Sequence, residues 1–190
     1  MPLPIGEGNP DVRRLSAAAA GDSDALRWLL DDVAPVVYGY LYARVGGDQP
    51  AAEDLLQETL LEAVRGAVAF RGEAAASTWM CAIARRRLAR FYESERRQEV
   101  ARRSLSLVKD VSSPEDGPEH GAASVERQDE VVRALGHLPA LQRQVLVLKY
   151  MEGMSVQDIA GQLKRSRVQV QSLLQRAREG LRRHIGAPDD

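Results

Sequence analysis

The spacing of apolar residues constrains the fold of this chain most strongly. Apolar side chains recur at intervals of three and four, and no segment of useful length alternates as a β-strand would. The series after Gly21-Asp22-Ser23 consists of Leu26, Leu29, Leu30, Val33, Val37, Tyr40 and Leu41. This spacing predicts an all-α protein, and Pro35 predicts a kink within its first long helix.

Two more helices are predicted in the first half of the chain. Pro50 suits the first turn of a helix, and Ser77 or Thr78 can cap the next one. The apolar face of the first is Ala52, Leu55, Leu56, Thr59, Leu60 and Ala63, and the second runs through Trp79, Ile83, Leu88 and Phe91. For Trp79, spacing with Ile83 favours a place in the core.

A change of composition divides the chain. Between about Ser104 and Ser124 the sequence is rich in Ser, Pro, Gly and acidic residues, which prevents a continuous helix. Four short helices are then predicted, with breaks at Gly136, Gly153 and Lys164-Arg165. We therefore expect two small helical domains, residues 11–98 and 127–186, joined by a flexible acidic linker over residues 99–126.

Composition and missing motifs disfavour several classes of protein. The single cysteine, Cys81, cannot form an internal disulfide, and no apolar run approaches the roughly 18 residues of a membrane span. We therefore expect a cytoplasmic protein without membrane insertion. No phosphate-binding glycine loop or nucleophile elbow is present, and His120, His137 and His184 are scattered. The sequence predicts no enzyme, no catalytic or metal site and no cofactor.

The net charge of −1 conceals a strong segregation of charge. Acidic residues dominate from Asp11 to Glu62 and from Asp110 to Glu130, whereas basic residues dominate from Arg71 to Arg103 and from Arg143 to Arg183. Two basic blocks favour two contacts with nucleic acid, and the acidic blocks favour basic protein partners. Charge alone leaves ordinary solvated helix faces as an equal alternative.

The C-terminal quarter carries the pattern of a helix-turn-helix. Ser155 with Asp158 resembles a capping box, and a second helix starts at Ser166 after a tight turn. Its inward stripe is Val170, Leu174, Ala177 and Leu181, and its outward residues are Val168, Gln171, Ser172, Gln175 and Glu179, flanked by Arg167, Arg176, Arg182 and Arg183. Gln and Arg can read base edges, and flanking Arg can neutralise phosphates. A plain helical hairpin is the alternative.

The predicted helix after Pro50 also has a polar face. Asp54, Gln57, Glu58 and Leu61 lie opposite its apolar residues. Such a face is either solvated or a docking surface for basic helices, and the residues alone favour the solvated surface.

A resemblance to a known family becomes specific in the C-terminal segments. Residues 138–145 (LPALQRQV), 155–160 (SVQDIA) and 175–178 (QRAR) resemble the fourth conserved region of bacterial sigma factors. The resemblance implies docking on the β flap of RNA polymerase and binding of the promoter −35 element. The −35 residues would be Ser166, Arg167, Gln171, Ser172, Gln175, Arg176 and Arg183.

The chain also departs from this pattern. Lys164 stands where the family usually has glycine, and residues 168–173 read VQVQSL where the family has a Gly-Thr-Val-Lys-Ser-Arg run. Because a Lys and an Arg are lost, we expect the isolated C-terminal domain to bind DNA weakly.

A second resemblance lies in the N-terminal half. Residues 52–59 (AEDLLQET) resemble the polymerase-binding segment of the sigma family's second region, and residues 78–85 (TWMCAIAR) resemble the segment that opens the −10 element. The resemblance implies that Asp54, Gln57, Glu58 and Leu61 contact the β′ clamp helices. It also implies −10 contacts by Phe70, Arg71, Arg85, Arg86 and Arg90, with the loop from Phe70 to Ser77 holding a flipped base.

Both resemblances occur in the family's order, and the third region of larger sigma factors has no room. The chain therefore resembles the extracytoplasmic-function (ECF) sigma factors, which implies that it binds core RNA polymerase and opens promoter DNA. The resemblance further implies an anti-sigma protein that masks the chain. It also implies that the linker enters the RNA path of the polymerase, with a merely flexible linker as an equal alternative. The alternative function is a stand-alone helix-turn-helix regulator.

Overall fold

A computed structural model describes residues 9–105 and 123–185 of the chain. These residues form helices and no strand, as the apolar spacing predicted. The chain divides into two compact units at Arg90–Phe91, a boundary that lies inside one long helix. Among the described residues, no helix is both long and apolar enough to cross a membrane.

The first unit is built from five α-helices and two short helical segments. They are α1 (Pro10–Ala19), α2 (Ser23–Trp28), a π-helical segment (Leu29–Val33), α3 (Ala34–Arg44), α4 (Gln49–Arg65), a 3-10 segment (Ala67–Ala69) and α5 (Ala76–Leu105), which continues past the boundary. The core includes Leu15, Val37, Leu41 and Met80, none of which is exposed. Thr59 is also buried, and its hydroxyl donates to the Leu55 carbonyl at 2.7 Å. This bond satisfies the only polar group that the apolar face of α4 buries.

The first predicted helix differs in detail from its prediction. Instead of a simple kink, a π-helical turn over Leu29–Val33 precedes Pro35, which lies in the first turn of α3. The wider turn accommodates the proline, which lacks an N–H and whose ring would clash with the preceding turn of an α-helix. Leu30, predicted to face inward with Leu29, is 55% exposed, whereas Leu29 is buried.

Helix α5 begins earlier than predicted and ends later. It starts at Ala76 rather than after Ser77 or Thr78, and it continues to Leu105, inside the range expected to be linker. Helix α6 likewise begins at Ala123, before the expected end of the linker. The remaining linker residues, 106–122, lie outside the described residues, so the linker and its place in the polymerase stay predictions.

The second unit contains the four short helices that the sequence predicted. They are α6 (Ala123–Gly136), α7 (Ala140–Leu146) continued by a π-helical segment (Val147–Met151), α8 (Val156–Leu163) and α9 (Arg167–His184). Their shared core includes Leu135, Val145, Ile159, Val170 and Leu174. The breaks at Gly153 and Lys164 have positive φ angles of 66° and 51°. These left-handed residues end the helices and allow the chain to reverse.

Candidate polymerase and nucleic-acid interfaces

The acidic face of α4, defined as Asp54, Gln57, Glu58 and Leu61, is exposed over its whole length. The four residues recur at intervals of three, one and three, which places them on one side of the helix. The opposite side is buried through Ala52 and Leu55. Leu61 remains 56% exposed at the end of the acidic face. The face therefore presents two carboxylates, an amide and one leucine to solvent.

Ion pairs connect the same helix to α5. A carboxylate oxygen of Glu58 lies 2.9 Å from the Arg87 guanidinium, and Glu62 lies 2.6 Å from Arg87 and 3.1 Å from Arg86. The hydrogen bond from Arg86, reinforced by Arg87 and by both charges, holds the pKa of Glu62 below its ordinary value. One predicted polymerase contact, Glu58, and one predicted −10 contact, Arg86, therefore also have partners within the first unit.

The predicted −10 residues fall into two groups. Arg85, Arg86 and Arg90 are exposed on α5, and Arg71 is exposed in the loop before that helix. Phe70 is only 5% exposed, and its ring lies against Trp79 with 5.2 Å between ring centroids. In this conformation Phe70 therefore packs against Trp79 in the core and anchors the start of the loop. Its predicted contact with DNA would require it to leave this position.

A helix-turn-helix is present in the second unit, at the predicted positions. The Ser155 hydroxyl caps α8 by accepting from the Asp158 amide at 3.1 Å. At the start of α9, the Ser166 hydroxyl accepts from the Gln169 amide at 3.2 Å, and the Gln169 side chain accepts from the Ser166 amide at 2.9 Å. Both ends of this reciprocal capping box fix the first turn of α9.

The outward face of α9 is as predicted. All seven candidate −35 residues are exposed: Ser166, Arg167, Gln171, Ser172, Gln175, Arg176 and Arg183. The Ser166 hydroxyl is already used as a helix cap, and the Gln175 amide donates to Glu179 at 3.2 Å. Gln171 thus combines an exposed amide with a position one turn into the helix, where recognition helices reach base edges.

Sequence reasoning missed two inward residues of α9. Leu173 is 7% exposed and belongs to the core of the second unit, although it was grouped with positions that are basic in the family. Gly180 is buried, and a Cβ atom there would lie 2.7 Å from a methyl carbon of Leu138. The inward stripe of α9 is therefore wider than predicted, and Gly180 permits its close packing.

An apolar cavity of about 310 Å³ also lies in the second unit. It is lined by α6, by the end of α7 with its π-helical continuation, and by α9, with Arg178 and Arg182 among its residues. Tyr150, also in the lining, is 60% exposed and accepts a hydrogen bond from Arg178 at 2.8 Å. Helical spacing predicts which residues face inward, but it does not predict this cavity between the helices.

Comparisons with known protein families match both parts of the chain. The family described as Sigma-70 region 2 matches residues 29–98, and the family described as Sigma-70, region 4 matches residues 128–181. The matches stand in the predicted order and include the acidic face and α9 as far as Leu181. They disfavour a stand-alone regulator, whose N-terminal half would not carry the first match.

Several curated proteins are similar over most of the chain. The ECF RNA polymerase sigma factor BldN of Streptomyces coelicolor is 33% identical over 91% of this chain, which spans 64% of that protein's length. The ECF RNA polymerase sigma factor SigL of Mycobacterium tuberculosis is 32% identical over 90% of this chain and 94% of its own length. A solved structure of the sigma factor RpoE with the anti-sigma factor NepR from Bartonella quintana aligns over 87% of this chain and 99% of its own, with 23% identity and a TM-score of 0.47. The two family matches and the relatives of over 30% identity show that this chain belongs to the ECF family of RNA polymerase sigma factors.

Proposed function

We propose that this chain binds core RNA polymerase and directs it to promoters, where it reads the −35 and −10 elements and promotes DNA opening. The observation that carries the proposal is the presence, in one chain, of a region 2 match with an exposed acidic face and a region 4 match with an exposed recognition helix. Neither feature alone would distinguish a polymerase subunit from a DNA-binding regulator.

The acidic face of α4 would dock on basic residues of the β′ clamp helices. Carboxylates on an exposed helix attract such a surface, and Leu61 would add apolar contact at its end. The apolar cavity of the second unit would receive a segment of the β flap, with Arg178 and Arg182 at its lining available to carboxylates. An anti-sigma protein that competes for these surfaces, and a cytoplasmic location, are expected from the family resemblance.

The DNA contacts would be divided between the units. Arg71, Arg85, Arg86 and Arg90 would hold the phosphates of the opened −10 strand, and the loop between Phe70 and α5 would hold an unstacked base. In the second unit, Gln171 and Gln175 would face base edges of the −35 element. The exposed arginines of α9 would contact phosphates on either side.

Charge reversal of the acidic face tests the polymerase contact. Asp54→Arg should abolish co-purification with core polymerase, because it places like charge against a basic surface at a cost of several kcal/mol. Asp54 is preferable to Glu58, whose change would also break the ion pair with Arg87. Asp32→Arg is the matched control, since Asp32 is an exposed acid outside the acidic face and has no ion pair in the described structure.

Core polymerase bound equally by both variants and the parent would refute this assignment. Equal loss in both variants would also refute it, because the effect would then follow net charge rather than the acidic face.

A further inference from the structure

Helix α1 precedes the matched region 2 segment and contacts the loop before α5. We name residues 70–75 the reading loop, because the proposed function assigns an unstacked base to it. A carboxylate oxygen of Asp11 accepts the Ala76 amide hydrogen at 2.9 Å. Ala76 is the first residue of α5 and is only 1% exposed. Asp11 thus caps, from 65 residues away, a helix whose first amide groups have no partner within the helix.

Asn9 makes a second connection between α1 and the reading loop. Its side-chain amide donates to the carbonyl of Gly72 at 2.9 Å and to that of Ala74 at 3.4 Å. Its side-chain oxygen accepts from the Asp11 amide at 3.0 Å and caps α1. One side chain therefore holds the start of α1 and two carbonyls of the loop in a fixed relation.

The backbone of the reading loop also packs directly on α1. Gly72 has a φ of +71°, and a Cβ atom there would lie 2.7 Å from Val12 Cγ2 and 2.9 Å from Asn9 Cβ. Only glycine permits both this conformation and this approach. Helix α1 is itself anchored, because Leu15 is completely buried and Ala18 is 3% exposed.

These contacts leave the outer side of the loop available. They involve the backbone at residues 72, 74 and 76, whereas the side chains of Arg71 and Glu73 are exposed. Buried Phe70 fixes one end of the loop, and the capped start of α5 fixes the other. A base pocket discriminates only when its groups are held in place before binding, since ordering a loose loop on binding costs free energy.

We propose that Asp11 and Asn9 are positioning residues for −10 base recognition, acting through the backbone of the reading loop. The inference rests on the proposed function, because it requires that the loop reads a base. Removing either side chain should loosen the loop and reduce base preference. It should leave the affinity for phosphates, which depends on the arginines of α5, largely unchanged.

The test uses polymerase holoenzyme assembled from the full chain and fork-junction DNA with a randomised single-stranded −10 segment. Sequencing of the bound DNA gives base preference, and fluorescence anisotropy gives total affinity. Asp11→Ala should reduce the preference about fivefold, the effect of about one lost hydrogen bond, with less than a twofold change in total affinity. Asn9→Ala should act in the same direction. Asp11→Asn keeps an oxygen acceptor and should restore most of the preference.

Asp48→Ala is the matched control, because Asp48 caps α4 through the Ala51 amide at 3.0 Å and makes no contact with the loop in the described structure. Hydrogen exchange of the full chain should show faster exchange at residues 72–77 in Asp11→Ala but not in Asp48→Ala. Unchanged preference in Asp11→Ala and Asn9→Ala would overturn the inference. Equal loss in Asp48→Ala would also overturn it, because the effect would then be general destabilisation.

Variants within the reading loop separate this inference from the proposed function. Glu73→Ala should alter base preference if the loop reads DNA, whereas Arg71→Ala should weaken all sequences alike, because Arg71 is assigned to phosphates. A changed base preference in Glu73→Ala without one in Asp11→Ala would refute the positioning role and leave the proposed function intact. No change of base preference in either variant would refute both, since the loop would then not read the −10 element.

Discussion

Replacing Lys164 by glycine should stabilise the second unit. Lys164 has φ 51° and ψ 48°, the left-handed conformation, at the end of α8. An L-residue with a Cβ pays about 1–2 kcal/mol in this region, and glycine avoids that cost. Glycine also gains freedom in the unfolded chain, which offsets about 0.4–1 kcal/mol. Lys164→Gly should therefore raise the free energy of unfolding by about 0.5–1 kcal/mol, a few degrees in Tm for a unit of this size.

The assay is urea unfolding of the full chain, followed by hydrogen exchange at core residues of the second unit such as Ile159 and Leu174. Lys164→Ala is the control, because it removes the same charge and side chain but keeps the Cβ. Alanine should leave stability nearly unchanged. A gain equal to that of glycine would show that the lysine side chain, and not the backbone conformation, is unfavourable. No gain from glycine would refute the argument from backbone strain.

Three further variants test the ion pairs and the recognition helix. Because the folded-state pKa of Glu62 is lowered, its stabilising contribution is present above its ordinary pKa and is lost as pH falls through the folded-state value. Glu62→Gln should therefore lower the free energy of unfolding by about 0.2–1 kcal/mol near neutral pH and flatten the acid side of the stability profile. Urea unfolding at a series of pH values measures both effects. An unchanged profile would show that the pairs contribute nothing. In holoenzyme, Gln171→Ala should cost about 1–3 kcal/mol of discrimination at one or two −35 positions, whereas Arg176→Ala should weaken all sequences alike and reduce the salt slope. Binding selections with a randomised −35 segment, repeated at several salt concentrations, measure both effects. Identical results for Gln171→Ala and Arg176→Ala would contradict this prediction.

Local signals in the sequence predicted much of the architecture. Helical spacing identified the four helices of the second unit, and the caps at Ser155 and Ser166 lie where short-range side-chain chemistry placed them. The acidic face of α4 and the outward face of α9 followed from the same periodicity, because a helix fixes which residues share a side. Within these local limits, the candidate surfaces could be derived without coordinates.

The features that could not be predicted depend on contacts between distant residues. Ser77 and Thr78 are good local caps, but α5 begins before them because Asp11 supplies the cap from α1. Gly180 has no side chain that signals burial, and its inward position follows only from the packing of α9 against Leu138. Leu173 differs, because its spacing of three from Val170 and four from Ala177 already indicates the inward side of the helix. Phe70 resembled a DNA contact, and its burial beside Trp79 follows from tertiary packing.

Transcription from genomic DNA fragments with purified core polymerase, with and without this chain, tests the central claim most directly. The account predicts discrete chain-dependent start sites preceded by shared −35 and −10 sequences, and predicts that residues 127–190 alone bind those sequences weakly. Absence of chain-dependent start sites, together with tight sequence-specific binding by residues 127–190 without polymerase, would contradict it and favour a stand-alone regulator.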